Sequence, residues 1–210
     1  MAKSKIEIWN MALGFLGTGL INPINTNNTT TTKSSYEANI CEQYWDLTRK
    51  TVLRDFPYSF AQRREYLALV LLDEEYENQY KYAYALPDNC LKIHEIYTEY
   101  YNSFANHNYE IVQQKCHKPC LLCNIYPCIL AYTTDIDEDY LPFVETSFIE
   151  MLAYKLAFTI CTPLLKDNTV KLQQLNQLYQ MALAQAMQND SSSRKRKMKK
   201  DSWIGIMSNN

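Results

Sequence analysis

Catalytic raw material is scarce in this chain. Three histidines, His94, His107 and His117, are all it has. There is no serine elbow, no phosphate loop, no dinucleotide fingerprint and no His-Glu-x-x-His. Three of the four glycines fall in GFLGTG, which follows an expected helix rather than a strand, the wrong context for cradling a phosphate. No run of consecutive apolar residues reaches the roughly 18 needed to cross a bilayer. Met1 to Gly14 lacks the charged-then-apolar-then-small order of a secretion signal, because Glu7, Trp9 and Asn10 interrupt it. These absences argue against an enzyme and a membrane partner, and the expectation is a soluble, intracellular chain that needs no cofactor. Seven cysteines is an odd number. In a reducing compartment such residues are thiols or metal ligands rather than a disulfide framework.

What is present in excess is tyrosine: 17 residues against 7 Phe and 3 Trp. A large ring with a hydroxyl that needs a partner suits wet, half-buried surfaces of the kind found at interfaces. Compositional drift in an AT-rich genome accounts for the excess equally well. Charge is unevenly placed. The formal net charge is −2, yet residues 194–210 carry six Lys/Arg and one Asp, which leaves −7 for the other 193 residues. An acidic body with a basic tail fits an assembly component better than an enzyme. At 24.6 kDa the chain is long enough for one domain with a large insertion, or two small ones, and to bury a core without staples.

Hydrophobic periodicity predicts an α+β protein: mainly a helical bundle, with a β-rich insertion and an extended C-terminal arm. The bundle is assigned to residues 1–56 and 140–189, the insertion to 57–139, and the basic arm to 190–210. Ser4 and Glu7 have capping-box spacing ahead of a helix over 4–16, with Ile6, Trp9, Leu13 and Leu16 on one face. A polar loop follows. A second helix over 35–54 carries Ala38, Cys41, Trp45, Thr48 and Val52 as its stripe, with Leu47 on the flank, and ends at Pro57. Phe56, Tyr58 and Phe60 form an aromatic plug. Residues 80–86 alternate, with Tyr80, Tyr82, Tyr84 and Leu86 on one face, and Pro87 halts that strand. A strand-to-helix corner is expected there, followed by strands near 96–101 and 109–114. A hairpin is expected from 121–123 and 129–133. Asp139 is expected to cap a long helix from Tyr140 to about Thr162, interrupted on its apolar surface by Lys155. A last helix is expected over 169–189, with Leu172, Leu175, Leu178, Tyr179, Ala182 and Ala186 inward.

Three stretches invite chemistry. In CHKPCLLCNIYPC, Cys120 and Cys123 have metal-ligand spacing, and Cys116 and Cys128 are irregular companions. They form a candidate zinc set, or else small core residues. Asp135, Asp137, Glu138 and Asp139 form either a divalent-ion site or, with better odds, a solvated linker. Glu74, Glu75 and Glu77 have the same two readings. The run Arg194, Lys195, Arg196, Lys197, Lys199 and Lys200 is followed by four apolar residues, Trp203, Ile204, Ile206 and Met207. That order predicts a docking arm steered by charge and anchored by the apolar hook. Contact with phosphates is the competing reading.

Five segments in order resemble the tail tubular protein A family of short-tailed bacteriophages, the head-to-tail adaptors also grouped with head-completion proteins. They are IWNMALGFLGTGLI, EANICEQYWDLTRKTVLRDFPYSFAQRR, YAYALPDNCLKI, LLCNIYPCILAYTTDI and FVETSFIEMLAYKLAFTIC. The most distinctive is the second, in which a helix ends in Arg-x-x-Val-Leu-x-x-Phe-Pro-Tyr-x-Phe-Ala. The likeness spans about residues 5 to 188. The resemblance implies a structural virion protein of the neck and tail, assembled in the host cytoplasm. It implies a ring, commonly of about twelve copies, that binds the portal protein on its helical side. Nozzle and fibre proteins bind its β side, and double-stranded DNA passes through the channel without sequence-specific contact. Tyr58 stands where the family commonly has Trp. The cysteine-rich stretch and the Trp203 hook are outside the family pattern. The alternative is a zinc-containing nucleic-acid-binding module.

Overall fold

The computed structural model describes residues 4–21, 35–98, 108–114, 118–166 and 168–193. The described residues form four α-helices and seven strands in an α+β arrangement. Helices α1 (Lys5–Leu16) and α2 (Tyr36–Asp55) precede all the strands, and α3 (Thr146–Leu165) and α4 (Thr169–Ser193) follow them. The first two helices begin where the sequence signals said. The Ser4 hydroxyl accepts from the Glu7 backbone N–H while the Glu7 carboxylate accepts from the Ser4 N–H. Ser35 caps α2 through Ala38 N–H. Gly17 closes α1 with φ of 77°, a left-handed conformation that favours a residue without Cβ. Replacing the cap, Ser4→Ala, is expected to cost about 1 kcal/mol, read as a lower urea midpoint at unchanged slope.

Helix α3 is the hub: α1, α2 and α4 all pack on it. Its residues Phe148, Ile149, Met151, Leu152, Leu156 and Ile160 are buried with Ile8, Leu13, Trp45, Val52 and Leu53 from the first two helices, and with Leu175 and Tyr179 from α4. By length and composition α3 is also long and apolar enough to cross a membrane, and half of that window is buried inside the protein. The count of consecutive apolar residues passed over it because Ser147, Glu150 and Lys155 interrupt the run. Two other expectations for this region change. The long helix starts at Thr146, not Tyr140, and Asp139 does not cap it; residues Glu138–Phe143 form a 3-10 turn instead. In α4, Leu178 points outward at 40% exposure, whereas Leu175, Tyr179 and Ala186 are buried. Lys155 lies on the core side of α3 with its ammonium 4.5 Å from the centre of the Tyr179 ring and 5.7 Å from that of Phe158. A cation over aromatic faces lets the polar break sit in an otherwise apolar seam.

Between α2 and α3 the strands build two antiparallel sheets, in the orders β1-β7-β4 and β2-β3-β6-β5. The strands are β1 (Gln62–Tyr66), β2 (Leu69–Val70), β3 (Tyr82–Ala85), β4 (Cys90–Tyr97), β5 (Tyr109–Gln113), β6 (Pro119–Cys123) and β7 (Ile129–Thr134). Tyr84, Leu121 and Cys123 from one sheet and Ile96, Leu130 and Tyr132 from the other share a second core. The expected strand-to-helix corner after Pro87 is a turn, closed by Cys90 N–H donating to the Pro87 carbonyl at 3.0 Å, and the chain runs directly into β4. The change of period seen in Leu91, Ile93 and Ile96 comes from bulges. Pairing shifts between Ile93 and Glu95, so Ile93 and Ile96 oppose Tyr132 and Leu130, which are two apart. An extra residue in one strand thus turns both isoleucines to the same face. The corner carries the chain from one sheet to the other. The expected hairpin of 121–123 with 129–133 does not form either, because β6 and β7 belong to different sheets.

Candidate interaction surface

The helical layer and the sheets are joined by a charged seam. Arg49, one turn after Trp45 on the inner stripe of α2, is buried. Its Nη1 donates to the Asp135 carboxylate and to the Ile136 carbonyl. Its Nη2 lies 3.3 Å from both Asp135 Oδ2 and Asp46 Oδ1. Burial alone disfavours the charged form of Asp46, but the bonds and charges of Arg49 and Lys50 outweigh it and hold that carboxyl below its usual range. One turn earlier, Trp45 Nε1 donates to Glu138 at 2.8 Å, and Lys5 Nζ pairs with Glu138 at 2.8 Å and Glu42 at 3.1 Å. Lys5 is partly desolvated, which lowers its proton affinity, yet Glu138 and Glu42 reverse the balance and raise its pKa. Nearby, Arg54 donates to the Leu91 carbonyl at 2.9 Å and Lys92 to the Arg54 carbonyl at 3.0 Å.

Two of the four acids read as a solvated linker are therefore structural partners: Asp135 for Arg49, and Glu138 for Lys5 and Trp45. Their pairing is set by α1 and α2, more than 80 residues away in sequence, so local composition could not show it. Arg49 is the seam residue that the sequence pattern did not single out, although its spacing from Cys41 and Trp45 (eight and four residues) put it on the buried stripe. Asp137 and Asp139 remain exposed. With Asp88, Asp135, Arg63, Phe60 and Tyr140 they line a groove of about 750 Å³ beside the β1-β7-β4 sheet, at the turn before β4 and the start of the 3-10 turn. Glu74, Glu75 and Glu77 lie in and after an exposed 3-10 turn.

The cysteines separate into two environments. Cys120 and Cys123 are three apart on β6, and a strand's period of two sends them to opposite faces. Cys123 shares the inter-sheet core with Cys128, and Cys120 contacts the Lys118 carbonyl at 3.5 Å. A thiol–thiol interaction couples Cys123 and Cys128: it lowers the Cys123 pKa against the opposing effect of burial, and together with burial it raises that of Cys128. Cys116, His107 and His117 lie outside the described residues. Among the described residues no group of three His, Cys, Asp or Glu is placed to hold a metal ion. His94 Nε2 lies 2.8 Å from Thr133 Oγ1 across β4 and β7, apart from the aspartate groove.

The docking arm, from Arg194 to Met207, also lies outside the described residues, but the point from which it leaves is well defined. Helix α4 continues to Ser193, further than the sequence pattern indicated. Asp190, expected at the start of the arm, is 4% exposed; its Oδ1 accepts from Ser59 N–H at 2.8 Å and from Ser59 Oγ at 2.6 Å. The exposed apolar residues of the helices fall on two surfaces. Tyr36 and Leu47 on α2 are eleven residues apart, about three turns, and so share a side. Val170, Leu178 and Met181 mark a side of α4. No family model matches the chain, and no curated protein matches it.

Proposed function

We propose that this chain is a structural head-to-tail connector of a tailed phage: an adaptor ring below the portal vertex that encircles the DNA channel and carries the tail nozzle. The ordered sequence likeness supplies the identity of the class. The observation that supports ring formation is the pair of separate apolar surfaces on the helical layer. Leu47 on α2 is 63% exposed and Met181 on α4 is 70% exposed, and both helices lie on α3 rather than along each other. A head-to-tail ring needs two different surfaces that complement each other, because each copy meets one neighbour on each side. An isologous dimer needs only one. Beside Met181 and Leu178, a shallow groove of about 120 Å³ runs between α3 and α4, lined also by Tyr154 and Glu150. Its lining mixes Leu178, Met181 and Ala182 with Ser147 and Gln185, a composition suited to a neighbour's side chain at an interface.

The test uses complementation between two variants, Leu47→Glu and Met181→Glu, each at an exposed site that leaves the core intact. Native mass spectrometry and negative-stain averages of each protein, mixed with the portal protein encoded in the same genome, report assembly. Wild type is expected to give closed rings on the portal, and each variant alone none. The two variants mixed are expected to give pairs and no larger ring, because one good surface of each remains. Wild-type dimers that never grow, with or without portal, would falsify the connector reading.

A further inference from the structure

We infer that the aspartate groove is the seat of the chain's own basic C-terminal arm, docked in cis. This goes beyond the connector reading and does not depend on it. Four aspartates, Asp88, Asp135, Asp137 and Asp139, line the groove against a single arginine, Arg63. Asp135 is engaged by Arg49 and Lys50, which leaves Asp88, Asp137 and Asp139 as the exposed negative charge. The arm opens with six cations within the seven residues 194–200. Its origin is held at the groove: Asp190 is bonded to Ser59, and the next residue, Phe60, lines the groove wall. Seven extended residues reach at most about 24 Å, and the anchor of that reach, Asp190, is bonded to the residue next to the groove wall.

The order of chemistry also matches. Beyond the cations come Trp203, Ile204, Ile206 and Met207. After Asp137 and Asp139 in the chain come exposed rings, Tyr140 in the groove and Phe143 at 78% exposure, with centroids 5.9 Å apart. Along the chain both partners run from charge to apolar surface: cations then the hook in the arm, Asp137 and Asp139 then Tyr140 and Phe143 at the groove. Tethering raises the effective concentration of the arm at the groove, so weak ion pairs suffice to hold it at low salt.

The experiment is zero-length carbodiimide coupling of full-length protein, read by peptide mass spectrometry. An equal mixture of light and heavy-nitrogen chains is used. Cross-links from Lys195, Lys197, Lys199 or Lys200 to Asp88, Asp137 or Asp139 are expected, all within one isotope label. Trypsin cleavage after residues 194–200 serves as the second measurement. The triple variant Asp88→Asn, Asp137→Asn, Asp139→Asn is expected to speed that cleavage about tenfold at low salt while other sites and the melting curve stay the same. Salt at about 0.5 M, where the screening length is only a few ångströms, is expected to do the same to wild type. Mixed-label cross-links overturn the cis arrangement. Equal cleavage rates in variant and wild type overturn the groove as the seat. Neither result bears on ring formation through α2 and α4.

Discussion

Arg49→Ala is expected to lower the stability of the whole chain by about 3 kcal/mol or more, seen as a urea midpoint shifted to lower concentration. Removing one partner of a buried ion pair leaves the other charge without compensation, and such changes cost roughly 3–5 kcal/mol. Here the guanidinium also serves a backbone group. Without it the Asp135 carboxylate keeps only Lys50, 3.8 Å away and half exposed, and the Ile136 carbonyl loses its donor. The Ile136 side chain belongs to the helical core while β7 ends at Thr134, so the seam lies where the sheets hand the chain back to the helices. A second variant separates electrostatics from packing. Arg49→Met with Asp135→Leu removes both charges and is expected to recover more than half of the loss, since an apolar replacement of a buried pair is often neutral. Recovery of nothing would mean that Arg49 acts through the Ile136 carbonyl alone.

The second large effect belongs to the aromatic plug. Phe148→Ala is expected to cost about 4 kcal/mol. Phe148 is buried on α3 with its ring edge-on to both Tyr58, at 5.1 Å, and Phe60, at 5.0 Å. Tyr58 and Phe60 stack at 5.4 Å, and Phe56 meets Tyr58 edge-on at 4.9 Å. The segment is too irregular to collapse into a hole, because Tyr58 is also tied by its hydroxyl to Met151 Sδ at 3.2 Å and Ser59 is tied to Asp190. Phe148→Leu, which keeps most of the volume, is expected to cost less than half as much. Thermal melting of the two variants beside wild type checks the ratio. A small loss for Phe148→Ala would show that the plug relaxes into the space. Because Phe60 also lines the aspartate groove, the alanine variant is expected to loosen the groove wall, which hydrogen exchange at residues 59–63 would report.

The sequence was most legible where local rules act alone. The Ser4–Glu7 box, the span of α2 from about residue 35 to its end at Phe56-Pro57 and the burial of Trp9, Leu13, Trp45 and Val52 all follow from spacing within one or two turns. Tyr82 and Tyr84 lie on the core side of their sheet, as alternation requires. Legibility failed where a distant element changed the local outcome. The bulged β4 imitates a helix in its apolar spacing, since an inserted residue converts a period of two into a step of three. The pairing of β6 and β7 depends on which of two sheets each strand joins, and strand period carries no such information.

By itself, then, the order of residues determined an α+β chain with helices at both ends, the first of them capped, strands between them, an acidic body and a basic, apolar-tipped terminus. Each of these depends on neighbours within a few positions or on simple summation of charge. Only the tertiary structure decided that Asp135 and Glu138 are partners of Arg49, Lys5 and Trp45. It alone joined Cys123 to Cys128 in the inter-sheet core, left Leu47 and Met181 exposed on different helices, and tied Asp190 beside a groove of aspartates. The physical reason is that burial and ion pairing are properties of space, set by which faces meet when helices and sheets pack.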